Sequence, residues 1–139
     1  MNARLVMASM VLLVGGFCLG QDNQEKKDDK DRLQGEWVAT SFNGNEIKGG
    51  NGGTLVVKRD EWKEFRTFKF KIDATKNPKQ IDITGNVVVG RESTFAGIYK
   101  IEGDTLTFCR SSRAGAERPT EFKFGPGVIL QVFKRAEKK

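Results

Sequence analysis

Apolar side chains recur at every second position along most of this chain. That spacing puts them on one face of a β-strand and on no single face of a helix. Phe68, Phe70 and Ile72 alternate with Lys69, Lys71 and Asp73, and Ile81 and Ile83 alternate with Gln80, Asp82 and Thr84. Phe95, Gly97, Tyr99 and Ile101 share a face, as do Leu106 and Phe108; Phe122 and Phe124 follow, then Val128, Leu130 and Val132 with Gln131 between them. Turn residues separate the runs at Asn43-Gly44-Asn45, Gly49 to Gly53, Gly85-Asn86, Gly103-Asp104 and Gly125-Pro126-Gly127. The pattern predicts about eight strands, at 35–42, 54–59, 65–73, 79–84, 86–90, 94–101, 104–109 and 119–135, the last split at Gly125. Glu102-Gly103-Asp104-Thr105 is the clearest hairpin turn, because a primed turn needs positive φ. Successive hairpins without a helical segment imply an all-β, up-and-down antiparallel meander. Eight short strands with one apolar face each close into a barrel or a tight sandwich, and closure removes the exposed sheet edges.

The termini follow a different logic. Arg4 precedes an apolar run from Leu5 to Leu19 that only Ser9 interrupts. The run is shorter than the roughly 20 residues a membrane-spanning helix needs. It reads as a signal peptide over residues 1–20, with Cys18 and Gly20 before the cut and Gln21 as the mature start. A lipoprotein signal acylated at Cys18 is the rival, although Phe17 stands where a small residue is wanted; an uncleaved anchor is the third option. Membrane contact is expected only if Cys18 carries lipid. Residues 21–32 lack any apolar side chain and read as a polar, disordered or frayed tether. The folded domain is expected at 33–135, with a charged tail at 136–139. The expected location is the periplasm or the exterior.

Composition narrows the chemistry. The 139 residues include no His and two Cys, which excludes imidazole nucleophile pairs, His metal ligands and a thiolate zinc site of three or four ligands. Without residues 1–20, 119 residues remain, with 23 Lys+Arg against 18 acids, a net charge of +5. Cys109 is then the single cysteine, so no internal disulfide forms. It reads as a small buried hydrophobe or as a reactive thiol.

Leu33-Gln34-Gly35-Glu36-Trp37 resembles the Gly-x-Trp opening of lipocalins and related barrels. More specifically, the chain resembles an uncharacterised, lipocalin-like exported domain abundant in planctomycete bacteria. The matching segments are residues 78–84, Gly97 to Leu106, Cys109-Arg110, Arg118 to Phe122 and Phe133-Lys134-Arg135. They are collinear and span nearly all of 33–135. The resemblance implies a calycin-type barrel and carries no established activity, ligand or catalytic residue. It also implies that Trp37 closes one end of the barrel while Arg135, or Lys134 if the register differs by one, packs across it as a cation–π pair. The Thr-Asp-Tyr loop of transport lipocalins is absent.

An eight-stranded barrel is either filled by its side chains or admits one small molecule. The mature chain has nine Phe, two Trp and one Tyr, enough for either. If a pocket exists, its expected lining is Trp37, Phe68, Phe70, Tyr99 and Phe108, with Arg118 as a polar contact near a mouth. The expected ligand is small and apolar or amphipathic. The alternative is an envelope protein-interaction or structural module with a filled core. Arg110, Arg113 and Arg118 flank one loop, which reads as an anion-binding mouth or as a solubilising loop in which Arg118 pairs with Asp82 or Asp104.

Other readings are weaker. Lys58 to Lys71 interleaves bases with aromatics, but Asp60, Glu61 and Glu64 interrupt it. It reads as a solvated face, then as an anionic-surface binder; nucleic acid is not an expected partner. Asp82, Glu102, Asp104 and Glu121 form no predictable glycosidase pair, Ser111-Ser112 has no base nearby, and the Gly49–Gly53 cluster lacks the Lys-Ser/Thr of a P-loop. No enzyme activity, catalytic residue, metal or cofactor is expected, and the chain is expected to be monomeric.

Overall fold

A computed structural model describes residues 28–48 and 52–137. The leader at 1–20 with Cys18, the tether up to residue 27, most of the Gly49–Gly53 cluster and the last two residues of the tail lie outside the described residues. The chain enters through a five-residue helix, α1 (Asp29–Leu33), followed by β1 (Gly35–Phe42), β2 (Asn45–Glu46), β3 (Thr54–Lys58), β4 (Glu61–Lys63) and β5 (Thr67–Asp73). Then come β6 (Lys79–Val88), β7 (Arg91–Glu102), β8 (Thr105–Ser111) and β9 (Val128–Arg135). From β3 to β9 each strand pairs antiparallel with the next, and β1 pairs with both β3 and β9. The result is a closed eight-stranded up-and-down barrel, with β2 an addition along the upper part of β1. Of the barrel and the sandwich that the alternation allowed, the chain forms the barrel, which is the lipocalin-like architecture that the resemblance implied.

The inward frame fills the barrel. Trp37, Leu55, Val57, Trp62, Phe70, Ile81, Ile83, Tyr99, Leu106, Phe108 and Phe133 are all buried in one cluster. Trp62 sits at its centre, 4.8 Å from the Phe108 ring and 5.9 Å from the Phe70 ring.

One end is shut by α1. Leu33 is buried beneath the barrel, and Trp37 Nε1 donates to its carbonyl at 2.9 Å. The Arg135 guanidinium lies 4.1 Å from the Trp37 ring and donates to the carbonyls of Gln34 (3.0 Å) and Arg32 (2.7 Å). Gly35 permits this approach. Its φ is +119°, and a Cβ there would stand 3.3 Å from Arg135 Nη1. The Trp37–Arg135 pair is therefore the one the resemblance implied, with Arg135 and not Lys134 in register with Trp37.

Four sequence expectations are corrected. Residues 29–32 are not tether, because the Asp29 carboxylate is buried and accepts from Lys79 Nζ (2.8 Å), Tyr99 OH (2.8 Å) and Arg32 Nη1 (3.3 Å). The stretches 79–84 and 86–90 merge into β6, which runs through Gly85. Residues 61–63 form β4, a strand too short to show alternation. Residues 119–124 form no strand, because both edges of β8 are already taken by β7 and β9. The segment 112–127 instead straps across the outside of the barrel. There Glu121 O accepts from Cys109 Sγ (3.5 Å), Lys100 Nζ sits 5.0 Å from the Phe122 ring, and Ile98 and Cys109 are buried on the outward face.

Candidate functional site

Opposite the helix-plugged end, the barrel is open. The turn after β1, the β4–β5 and β6–β7 hairpins and the β8–β9 connection all come to this end. They enclose a cavity of about 330 Å³. Its apolar wall is Phe42, Phe65, Phe68, Val87, Phe95 and Ile129. The Phe68 and Phe95 rings meet edge-to-face at 6.3 Å, so the wall is braced by an aromatic contact. The rim is exposed: Phe65 is 94% accessible.

The inner polar surface comes from β8, β9 and the β4–β5 turn. Leu106, Phe108 and Arg110 share the inward frame of β8, and Ile129, Gln131 and Phe133 that of β9. The period that packs the core therefore also carries Arg110 and Gln131 into the cavity wall. Gly97 pairs with Arg110 across the β7–β8 ladder, and a Cβ at Gly97 would stand 2.7 Å from Cys109 O and 3.0 Å from Arg110 Cβ. Only glycine leaves room there for the arginine stem and the neighbouring backbone.

Arg110 is a half-buried cation without a close counter-ion. It makes no ion pair among the described residues. Its Nη1 donates to Ser111 O at 3.0 Å, its guanidinium lies 5.0 Å from the Phe95 ring, and its buried Nε has no partner. Burial pulls its pKa below the ordinary value, while the charge of Glu64 works the other way. The Glu64 carboxylate lines the same cavity, where it accepts from Trp62 Nε1 (2.9 Å) and Gln131 Nε2 (3.1 Å) and not from Arg110. Gln131 is 8% exposed, and its Oε1 also lacks a partner. The site can thus offer a desolvated donor cation and a neutral acceptor beneath an aromatic rim that also carries Glu64, Arg66 and Ser112.

The predicted lining residues divide sharply. Phe68 lines the open-end cavity. Trp37, Tyr99 and Phe108 are no more than 1% exposed and belong to the packed core. Phe70 is also core, with an edge on a polar furrow along the outer face of β5–β7 among Lys69, Lys71, Asp82 and Thr84. Arg118 is not at the mouth. It clamps the strap to the outside, with Nη1 at 2.8 Å from Asp82 Oδ1 and donating to Gly97 O (2.9 Å) and Ile81 O (3.3 Å). That is the Asp82 pairing of the structural alternative. Of the three loop arginines, Arg110 reaches the cavity.

Sequence reasoning missed Arg110 and Gln131 as a pair. It took Val128, Leu130 and Val132 as the leading frame of β9, whereas these residues are half-buried and the odd-numbered frame faces inward. Extending Leu106–Phe108 by two residues would have pointed to Arg110.

Among the described residues no three His, Cys, Asp or Glu side chains gather to hold a metal ion. Asp82, Glu102 and Asp104 each stand beside a cation, respectively Arg118 (2.8 Å), Lys100 (3.6 Å) and Arg135 (3.9 Å). Comparison with protein-family models, curated proteins and solved structures finds no match for the chain. The class is therefore defined by the fold and the site together: a closed, helix-plugged antiparallel barrel with one open, aromatic-rimmed cavity.

Proposed function

We propose that this protein is an exported binding module, not an enzyme, that takes a small amphipathic ligand into the open end of its barrel. The apolar part rests on Phe42, Phe68, Phe95 and Ile129, and the polar end points inward to Arg110. One observation carries this reading: an arginine with an unpartnered buried Nε lines an open cavity walled by six apolar side chains, with Glu64, Arg66, Ser112 and Gln131 as its other polar groups. A buried donor without a partner costs about 1–3 kcal/mol, and an anionic or acceptor-bearing head group relieves that penalty. The cavity's volume lies at the lower bound for small-molecule sites, about 300 Å³, which favours short or medium chains. Export rests on Arg4 and the apolar run to Leu19.

Binding of a fluorescent medium-chain fatty acid is the test. Uptake should be saturable, and Arg110→Leu should weaken it about tenfold or more while leaving the fold intact by circular dichroism. Absence of saturable uptake by folded protein rejects the reading.

A further inference from the structure

Two of the buried side-chain polar atoms that lack a hydrogen-bond partner belong to residues lining the same cavity, in its wall: Arg110 Nε, a donor, and Gln131 Oε1, an acceptor. The third such atom, Asp82 Oδ1, already has Arg118 Nη1 at 2.8 Å. The orientation of the Gln131 amide is fixed by chemistry, since its Nε2 faces the Glu64 carboxylate, which can only accept. Oε1 is therefore an acceptor left to something else. On the ladder Phe108 stands opposite Gln131 and Arg110 opposite Ile129, so Arg110 and Gln131 are diagonal neighbours on the inward face. Diagonal neighbours have Cα atoms about 7–8 Å apart, within the span of one small head group between two long side chains.

A plain carboxylate satisfies Arg110 and offers nothing to Gln131. We propose that the head group bound here is that of a hydroxylated carboxylic acid, its carboxylate on Arg110 and its hydroxyl donating to Gln131 Oε1. This inference rests on the binding reading above and deepens it: the cavity selects β-hydroxy acids of medium chain length over the unsubstituted acids. A site built to accept from a hydroxyl discriminates against ligands lacking it, because its buried acceptor is then left unpaired.

The test is displacement of the fluorescent probe from full-length protein by decanoate, β-hydroxydecanoate and β-methyldecanoate. The hydroxy acid should displace about tenfold more tightly than either of the others, since the β-methyl compound keeps the size and loses the donor. In Gln131→Met the preference for the hydroxy acid should disappear. If that variant fails to fold, the hydroxy-to-methyl ratio on the unaltered protein still decides. Equal displacement by all three acids overturns the hydroxy-acid assignment and leaves the binding reading standing. Failure of every acid to displace a saturably bound probe overturns the hydroxy-acid assignment alone, and failure of the probe itself to bind overturns both.

Discussion

Three donors converge on the Asp29 carboxylate at the plugged end of the barrel, from Lys79, Tyr99 and Arg32. Burial acts most strongly on this carboxyl and raises its pKa. The hydrogen bonds from Lys79 and Tyr99, with the charges of Lys79 and Arg32, together outweigh burial and hold it below the ordinary 3.8. A carboxyl whose pKa is lower folded than unfolded binds its proton more readily in the unfolded chain. Its stabilisation is complete above the unfolded value and is lost as pH falls through the folded one. Asp29→Asn should therefore cost about 1–3 kcal/mol at neutral pH, as charge-assisted hydrogen bonds weaken. The gap between the urea midpoints of the two proteins should close on acidification from about pH 6 to below pH 3. A gap that stays constant over that range would show that the Asp29 charge does not act this way. On Tyr99, burial and the Asp29 carboxylate push the phenol far above its usual range, so the hydroxyl remains a donor.

Among the elements, the strap at 112–127 contradicts the most regular-looking part of the sequence. Phe122 and Phe124 alternate as a strand would, yet closure of the barrel leaves β8 no free edge for them. Alternation reports a half-buried face and cannot report whether an edge is available. The strap buries Ile98 and Cys109, and burial raises the Cys109 thiol pKa, so this cysteine is chemically quiet. Arg118 carries three contacts from the strap to β6 and β7. Arg118→Ala should loosen the strap and destabilise the protein by about 1–3 kcal/mol. The rate at which Ellman's reagent modifies Cys109 under native conditions should rise several-fold. An unchanged rate would mean that the strap is held without the arginine.

For the whole molecule, alternation and closure made the barrel legible, and the Gly35–Trp37 motif with Arg135 made the shut end legible to the exact pair. Three things were not. Asp29 lies in a stretch without apolar side chains, and only tertiary contacts with Lys79 and Tyr99 bring it inside. Trp62 sits in a polar run, so its central place in the core follows from barrel geometry alone. The candidate site was placed too deep: Trp37, Tyr99 and Phe108 are aromatic enough for a pocket but are spent on the filled core. The space lies above them, where Phe68 and Phe95 meet Arg110 and Gln131. The barrel therefore has two halves, a solid lower half that fixes the strands and an open upper half in which Arg110 Nε and Gln131 Oε1 lack hydrogen-bond partners.

That division is the central claim, and the amide NMR spectrum of the protein titrated with a medium-chain acid tests it most directly. The account predicts saturable shifts concentrated at the open end, in the 42–45, 64–68, 85–95, 110–112 and 128–131 segments, with α1, Trp37 and the Arg135 region unmoved. Shifts centred on the shut end or on the outer furrow along Lys69 and Lys71, or no saturable shift at all, would contradict it.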